Sequence, residues 1–179
     1  VRGVDQEFTA KIENGTAQFV IPNLFGGNYT NIRVIYEGDI HFNANETLVN
    51  FTVKPTENFN MSVEVENIEY GQNATVRVYL PTLAYGNVTI FVDGVNKGTV
   101  NVTNGVAVLN NISGLDAGTR YVNATYNGGE DYAAKTVYDV EFNVTATKNW
   151  EINLTVEAHK YGEDTIFNVT LPDNVLNTN

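Results

Sequence analysis

Apolar and polar residues alternate along most of this chain, with the period of two that is typical of β-strands with one face on a core. No segment of useful length shows the 3.6-residue period of an amphipathic helix. The alternating runs are residues 19–21, 32–36, 61–65, 76–80, 88–92, 100–102, 106–108 and 122–126. We predict a short strand at each of them.

Glycine-containing turn signals separate these runs. Asn or Asp followed by Gly favours the two-residue turns that join antiparallel strands, because both residues tolerate positive φ. Such pairs occur at Asn14-Gly15, Asp93-Gly94, Asn104-Gly105 and Asn127-Gly128. Short strands about 8–12 residues apart, with turns between them, are typical of an all-β sandwich. We therefore predict an all-β fold.

The sequence also contains an internal repeat, and a repeat has to be recognised before a fold is assigned. Residues 59–81 align without a gap to residues 150–172, which lie 91 positions later. Phe59 falls on Trp150 in this alignment, and apolar positions fall on apolar positions throughout. The repeat indicates a duplicated structural module.

The repeat continues on both sides of this stretch. Residues 36–42 match residues 126–132, and residues 51–53 match residues 142–144. This defines three units of a β-sandwich module of about 91 residues. Residues 57–147 are predicted to be one complete module, residues 1–56 the C-terminal part of a preceding module, and residues 148–179 the N-terminal part of a following one.

The two partial units permit two interpretations. The sequence is either a window from a longer tandem array, or residues 148–179 of one chain complete residues 1–56 of another. In the second case strand donation would close open sheet edges and apolar faces. Chains would then join head to tail into a fibre.

Composition narrows the classes of partner. The formal net charge is −11, so no basic surface is expected to neutralise nucleic-acid phosphates or an anionic membrane. There is no cysteine, which excludes disulfides, thiolate zinc sites and cysteine nucleophiles. No apolar run reaches the length of about 18 residues that a transmembrane helix needs. We expect neither nucleic-acid binding nor membrane insertion by this segment.

The most informative local motif is Asn-x-Ser/Thr, the acceptor signal for N-glycosylation. The chain has 26 Asn and 22 Ser or Thr residues, yet thirteen of the asparagines stand in this motif, far more than chance predicts. The candidate glycosylation sites are Asn14, Asn28, Asn45, Asn50, Asn60, Asn73, Asn87, Asn101, Asn111, Asn123, Asn143, Asn153 and Asn168.

The residue between Asn and Ser/Thr is usually apolar, as in Asn87-Val88-Thr89. Residues i and i+2 of a strand share one face and residue i+1 points to the other. The apolar residue can therefore enter a core while Asn and Thr face solvent. Asn is depleted in strands, so repeated mid-strand Asn calls for a reason, and an attached sugar supplies one. We expect covalent N-glycans and no other cofactor.

The modules resemble a known family. Residues 70–81 read YGQNATVRVYLP, residues 86–94 read GNVTIFVDG, residues 115–118 read LDAG and residues 126–132 read YNGGEDY. These motifs resemble the bacterial-type immunoglobulin-like repeats of adhesin-like cell-surface proteins of methanogenic archaea. The resemblance covers the whole chain. It implies tandem immunoglobulin-like sandwiches displayed outside the cell.

Other chemistry is not indicated by the motifs. His41 and His159 stand at unrelated positions of the repeat, and the acidic pairs Glu130-Asp131 and Glu163-Asp164 lack the spacing of a calcium loop. No nucleophile elbow, zinc-protease or phosphate-loop motif is present. We expect solvated loop charges, no metal site and no enzymatic activity.

The expected function is structural, extracellular and at the cell surface. The modules would form the stalk of an adhesin-like protein or the subunits of a glycosylated head-to-tail filament. Their partners would be neighbouring modules, identical chains, or a host or partner cell surface. The alternative is a carbohydrate-binding module of a surface enzyme, in which exposed aromatics stack on sugars; the candidates for that role are Tyr79, Tyr85 and Phe91.

Overall fold

The computed structural model describes residues 6–173 and 175, and the regular structure in this part of the chain is entirely β-sheet. This confirms the predicted all-β class. The strands are β1 (Gly27–Gly38), β2 (Asn43–Val53), β3 (Ser62–Val65), β4 (Ile68–Glu69), β5 (Ala74–Tyr79), β6 (Asn87–Val92), β7 (Val95–Asn101), β8 (Val106–Ile112), β9 (Gly118–Tyr126), β10 (Lys135–Thr145), β11 (Asn153–Val156) and β12 (Phe167–Thr170).

Residues 57–147, which we call the central segment, contain two sheets. One has five strands in the order β4-β10-β9-β6-β7, in which β4 is parallel to β10 and the other neighbours are antiparallel. The other has three antiparallel strands in the order β3-β5-β8. Both sheets contribute to one buried cluster, an arrangement that is consistent with a β-sandwich.

The core follows from the alternation in the sequence. Every second residue of β5 and of β6 is fully buried, and the residues between them face outward. Within residues 6–173 and 175, all buried apolar residues lie between positions 59 and 144. They are Phe59, Ala74, Val76, Val78, Ala84, Val88, Ile90, Val92, Val102, Ala107, Ile112, Leu115, Val122, Ala124, Tyr126, Phe142 and Val144.

An aromatic group closes one part of this core. The ring of Phe59 meets the rings of Tyr126 and Tyr132 edge to face, with centroids 6.1 and 5.3 Å apart. The Nζ of Lys135 lies 4.8 Å from the Phe59 ring centroid and donates a hydrogen bond to the Phe59 carbonyl oxygen. Position 59, the first residue of the repeated stretch, is thus fixed by packing and by a cation–π contact.

Two further hairpins lie outside the core. Strands β1 and β2 form a two-stranded sheet, the N-terminal hairpin, and β11 and β12 form another, the C-terminal hairpin. Most of their apolar side chains are exposed. These include Val34, Val49 and Phe51 in the first, and Leu154, Phe167 and Val169 in the second.

Three of the four Asn-Gly or Asp-Gly pairs form the predicted turns, whereas at Asn127-Gly128 only the glycine has positive φ (86°). Both residues have positive φ at Asn14-Gly15 (50° and 75°), Asp93-Gly94 (49° and 78°) and Asn104-Gly105 (51° and 77°). These angles fit the hairpin turns that Asn-Gly and Asp-Gly favour.

The strand predicted at residues 19–21 is wrong. Residues 6–26 contain only the isolated bridge between Glu13 and Thr16, which corresponds to the bridge between Thr103 and Val106. In the central segment the residues after Val106 form β8 by pairing with β5. The described residues place no such partner beside residues 19–21, and a strand needs a neighbour to satisfy its backbone.

Candidate functional site

The thirteen asparagines of the Asn-x-Ser/Thr motifs are all at the surface. Eleven are exposed, and Asn87 and Asn123 are half-buried. They lie in β1, β2 and β6 to β12, at the Asn14-Gly15 turn, two residues before β3 and directly before β5. The candidate sites are therefore spread over the whole chain and form no single cluster.

In the central segment these motifs have the alternating form expected from a strand. The apolar middle residue is buried in six of them, whereas the asparagine is exposed or half-buried. The six middle residues are Ala74, Val88, Val102, Ile112, Ala124 and Val144. In the two hairpins the middle residues Phe51, Leu154 and Val169 are exposed instead.

Six of the asparagines use their side-chain oxygen as a hydrogen-bond acceptor. These are Asn28, Asn45, Asn50, Asn87, Asn123 and Asn143. An N-glycan is attached to the other amide atom, Nδ2. The bonds therefore orient the side chain without occupying the atom that would carry a sugar.

Asn50 and Asn123 also have a structural role that the sequence did not indicate: each accepts a hydrogen bond from the backbone N–H of a β-bulge. Asn31 in β1 and Asp139 in β10 have positive φ of 58° and 56°, and each lies where the strand register shifts in a β-bulge. The N–H of Asn31 donates to Asn50 Oδ1 at 2.7 Å, and the N–H of Asp139 donates to Asn123 Oδ1 at 2.8 Å. A cross-strand asparagine thus satisfies the bulged N–H in both cases.

This bond gives a test in protein produced without glycans. Replacing Asn123 by alanine removes the acceptor of the Asp139 N–H and should lower the unfolding free energy by about 1 kcal/mol, because the site is partly open to water. Urea unfolding followed by circular dichroism would measure it. The control is Asn101→Ala, which removes an exposed asparagine at the end of β7 that caps no bulge; equal losses in both variants would contradict the capping role.

A cross-strand asparagine–threonine pair occurs at corresponding places in two sheets, with its members exchanged. In β9 and β10, Thr119 Oγ1 donates to Asn143 Oδ1 at 3.0 Å. In β1 and β2, Thr52 Oγ1 donates to Asn28 Oδ1 at 2.7 Å. The same hydrogen bond is therefore made with the asparagine on either strand.

One acidic pair does more than carry solvated charge, contrary to the expectation from sequence. Asp131 Oδ1 accepts a hydrogen bond from the Gly26 N–H at 2.6 Å, which ties the residues before β1 to the loop before β10. A side chain at position 26 would meet the Glu130 carbonyl oxygen at 1.7 Å, so glycine is required there. In the other pair, Glu163 Oε2 accepts from the Lys160 N–H at 2.9 Å.

The histidines lie in different hairpins. His41 is in the β1–β2 turn, where its N–H and that of Phe42 donate to the Asp39 carboxylate at 2.7 Å. These two bonds, joined by one from Tyr36, lower the pKa of Asp39. His159 lies between β11 and β12, with its ring nitrogen 2.8 Å from Thr165 Oγ1. Within residues 6–173 and 175, no group of three or more histidines or carboxylates could hold a metal ion.

An open groove of about 480 Å³ lies beside Asn60, between the start of β3 and the end of β5. Its lining residues are Asn58, Phe59, Asn60, Ser62, Tyr79, Leu80, Pro81 and Tyr132. Of the aromatics proposed for sugar stacking, Tyr79 lines this groove and donates its hydroxyl to Glu64. Tyr85 does not: its hydroxyl accepts the Glu130 N–H, and its carbonyl accepts the Tyr126 hydroxyl.

Comparison with known proteins found no family model, no curated protein and no solved structure that matches this chain. No helix long and apolar enough to cross a membrane occurs in the described part of the chain.

Proposed function

We propose that this chain is a structural part of an extracellular surface array. Immunoglobulin-like modules of about 91 residues would repeat head to tail in the array and carry N-linked glycans. The array is the stalk of an adhesin-like protein or a filament of identical subunits, and it acts mechanically. Its contacts are neighbouring modules and, at its tip, a host or partner cell surface.

One observation carries this proposal. The C-terminal hairpin has the strand register of β3 and β5 moved by 91 residues: Val63 pairs with Val78, and Leu154 pairs with Val169. The same pairing in two places supports modules that repeat along the chain. A buried core beside two exposed hairpins fits one whole module flanked by parts of two others.

The surface position of all thirteen candidate asparagines supports glycosylation. Bulky, hydrated sugars on the outer strand faces would leave the core untouched. They would also cover sheet edges, which are otherwise prone to pair with other chains.

Site-specific mass spectrometry of the protein from its native source tests glycosylation. We expect added mass on several of the thirteen asparagine peptides and loss of that mass after deglycosylation. Unmodified peptides at all thirteen positions would contradict this part of the proposal.

Electron microscopy of the same native material tests the array. Extended particles with a regular axial repeat of one module are expected. Isolated globular particles with no end-to-end contact would overturn the structural role.

A carbohydrate-binding module is the second candidate, and the groove that contains Tyr79 and Tyr132 favours it. Aromatic side chains beside amides are a common surface for sugars. Titration of the unglycosylated chain with defined glycans tests it: binding that is lost in Tyr79→Ala would support this function, and absence of binding would favour the structural role.

A further inference from the structure

We propose that the C-terminal hairpin of one copy of this chain inserts beside residues 16–53 of a second copy and completes its apolar core. The inference deepens the proposed function by naming the contact that joins successive chains.

The two hairpins correspond to two parts of the central segment that face each other across a core. The C-terminal hairpin matches β3 and β5, as its register shows. The N-terminal hairpin matches β9 and β10: Ile32 pairs with Val49 as Val122 pairs with Val140, and Gly27 pairs with Val53 as Gly118 pairs with Val144. The central segment therefore displays the joined form of the two hairpins.

The faces that are buried in the joined form are exposed in the hairpins. Val76 and Val78 of β5 have no exposed surface, whereas the corresponding Phe167 and Val169 are 61% and 58% exposed. Phe142 of β10 is 2% exposed, and its counterpart Phe51 is 36% exposed. In the central segment, β3 and β5 cover the apolar face of β9 and β10, and the reverse. Each hairpin lacks this cover in the single chain, and the other hairpin has the matching face to provide it.

The central segment also predicts the register of the contact. Val76 and Val78 of β5 pair with Leu109 and Ala107 of β8. By the same pairing, Phe167 would lie opposite Phe19 of the second copy, and Val169 opposite Ala17. Residues 16–19, which form no ladder with any other described residue of the single chain, would then become a strand.

Trp150 provides a built-in reporter, since it is the single tryptophan of the chain. Its counterpart Phe59 is 9% exposed and packs on Tyr126 and Tyr132, whereas Trp150 is 48% exposed. On joining, Trp150 would enter the corresponding aromatic site made by Tyr36 and Phe42 of the second copy.

Sugars on the asparagines of the two Asn-x-Thr motifs in the C-terminal hairpin would not block this contact. Asn153 and Asn168 alternate with Leu154 and Val169 along their strands, so their side chains lie on the opposite face.

The test uses the unglycosylated 179-residue chain across a range of concentrations. Sedimentation velocity should show head-to-tail oligomers that grow with concentration. Trp150 emission should shift to shorter wavelength, and its quenching by acrylamide should fall, over the same range. A chain that stays monomeric, or tryptophan burial that does not depend on concentration, would overturn the inference.

Matched variants identify the surfaces. Val169→Asp should weaken association by more than about a hundredfold, because it would bury an unpaired carboxylate. Asn168→Asp adds the same charge to the opposite face of β12 and should leave association unchanged. Unaltered association in Val169→Asp, with the unfolding transition of the central segment preserved, would contradict the assigned face.

A mixing experiment tests the polarity of the contact. Ala17→Asp disrupts the strand at residues 16–19 that accepts the hairpin of another copy, and it leaves the C-terminal hairpin intact. Val169→Asp disrupts the C-terminal hairpin and leaves the accepting strand intact. Neither variant should associate alone, whereas an equimolar mixture should form one-to-one dimers and nothing larger. Failure of the mixture to form dimers, when the unaltered chain associates, would overturn the inference. Glycosylation and array length are measured on native material by the separate experiments described above. Failure of the contact between copies would therefore leave those two parts of the proposed function untouched.

Discussion

Replacing Tyr126 by alanine is expected to lower the free energy of unfolding by about 3–5 kcal/mol, the range for removal of a buried aromatic ring. Tyr126 has no exposed surface, packs edge to face on Phe59, and donates its hydroxyl to the Tyr85 carbonyl oxygen at 2.7 Å. The variant would leave a cavity in the core and would remove the hydrogen bond from position 126 to the Tyr85 carbonyl oxygen. Chemical unfolding followed by circular dichroism measures the loss.

The control for this prediction is Tyr36→Ala, the corresponding residue of β1. Tyr36 is only half-buried and lies outside the core, so its loss should leave the main unfolding transition in place.

Tyr126→Phe removes only the hydroxyl and should lower the free energy of unfolding by about 1–2 kcal/mol. Burial, followed by the charges of Tyr85 and Asp131, raises the pKa of Tyr126 above its ordinary value of 10.0. The phenol therefore stays neutral, and its contribution is present below pH 10 and is lost as the pH rises beyond it. Similar losses for the two alanine variants would contradict a core confined to the central segment.

Replacing Gly105 by alanine should cost about 3 kcal/mol or more, since two penalties combine. Its φ of +77° is unfavourable for any residue with a side chain. The added carbon would also lie 2.6 Å from the Leu80 carbonyl oxygen and 2.9 Å from that of Pro81. Because these are backbone atoms, relief requires movement of the chain after β5.

Gly94 separates the two penalties. Its φ is +78°, it lies in a turn of the same kind, and a side chain there would meet nothing within 4 Å. Gly94→Ala should therefore cost only the conformational part, about 1–2 kcal/mol. The difference between the two variants in urea unfolding reports the contact with the 80–81 backbone; equal effects would show that this contact relaxes without cost.

Much of the fold was predictable because alternation and turn chemistry are local properties. The runs at residues 76–80, 88–92 and 122–126 overlap β5, β6 and β9, whose alternate side chains are buried, and three of the four Asn-Gly or Asp-Gly pairs have the expected angles. Alternation predicts which face of a strand is buried, but it does not predict which strand pairs with it. The strand predicted at residues 19–21 was therefore wrong, since the described part of the chain places no partner strand beside it.

The roles of individual asparagines were less predictable. The sequence explained mid-strand asparagine by glycosylation alone, whereas Asn50 and Asn123 also cap bulges. The signal was present in the repeat, whose offset is 90 at Tyr36 and 91 at Phe51, so one residue is inserted between them. The side-chain oxygen that accepts from the N–H of the inserted residue is decided by the register of the two strands. A sequence pattern does not reveal that register.

The exchanged pair of Thr119 with Asn143 and Asn28 with Thr52 bears on how such a surface evolves. Both asparagines stand in Asn-x-Thr motifs, and both arrangements keep one hydrogen bond between the same two strand positions. If these asparagines carry sugars, as proposed above, an exchange of this kind would move the sugar to the opposite strand while its place on the surface stayed nearly constant. Selection would then act on where a modification lies in space, and sequence alignments of such repeats would underestimate how well its position is preserved.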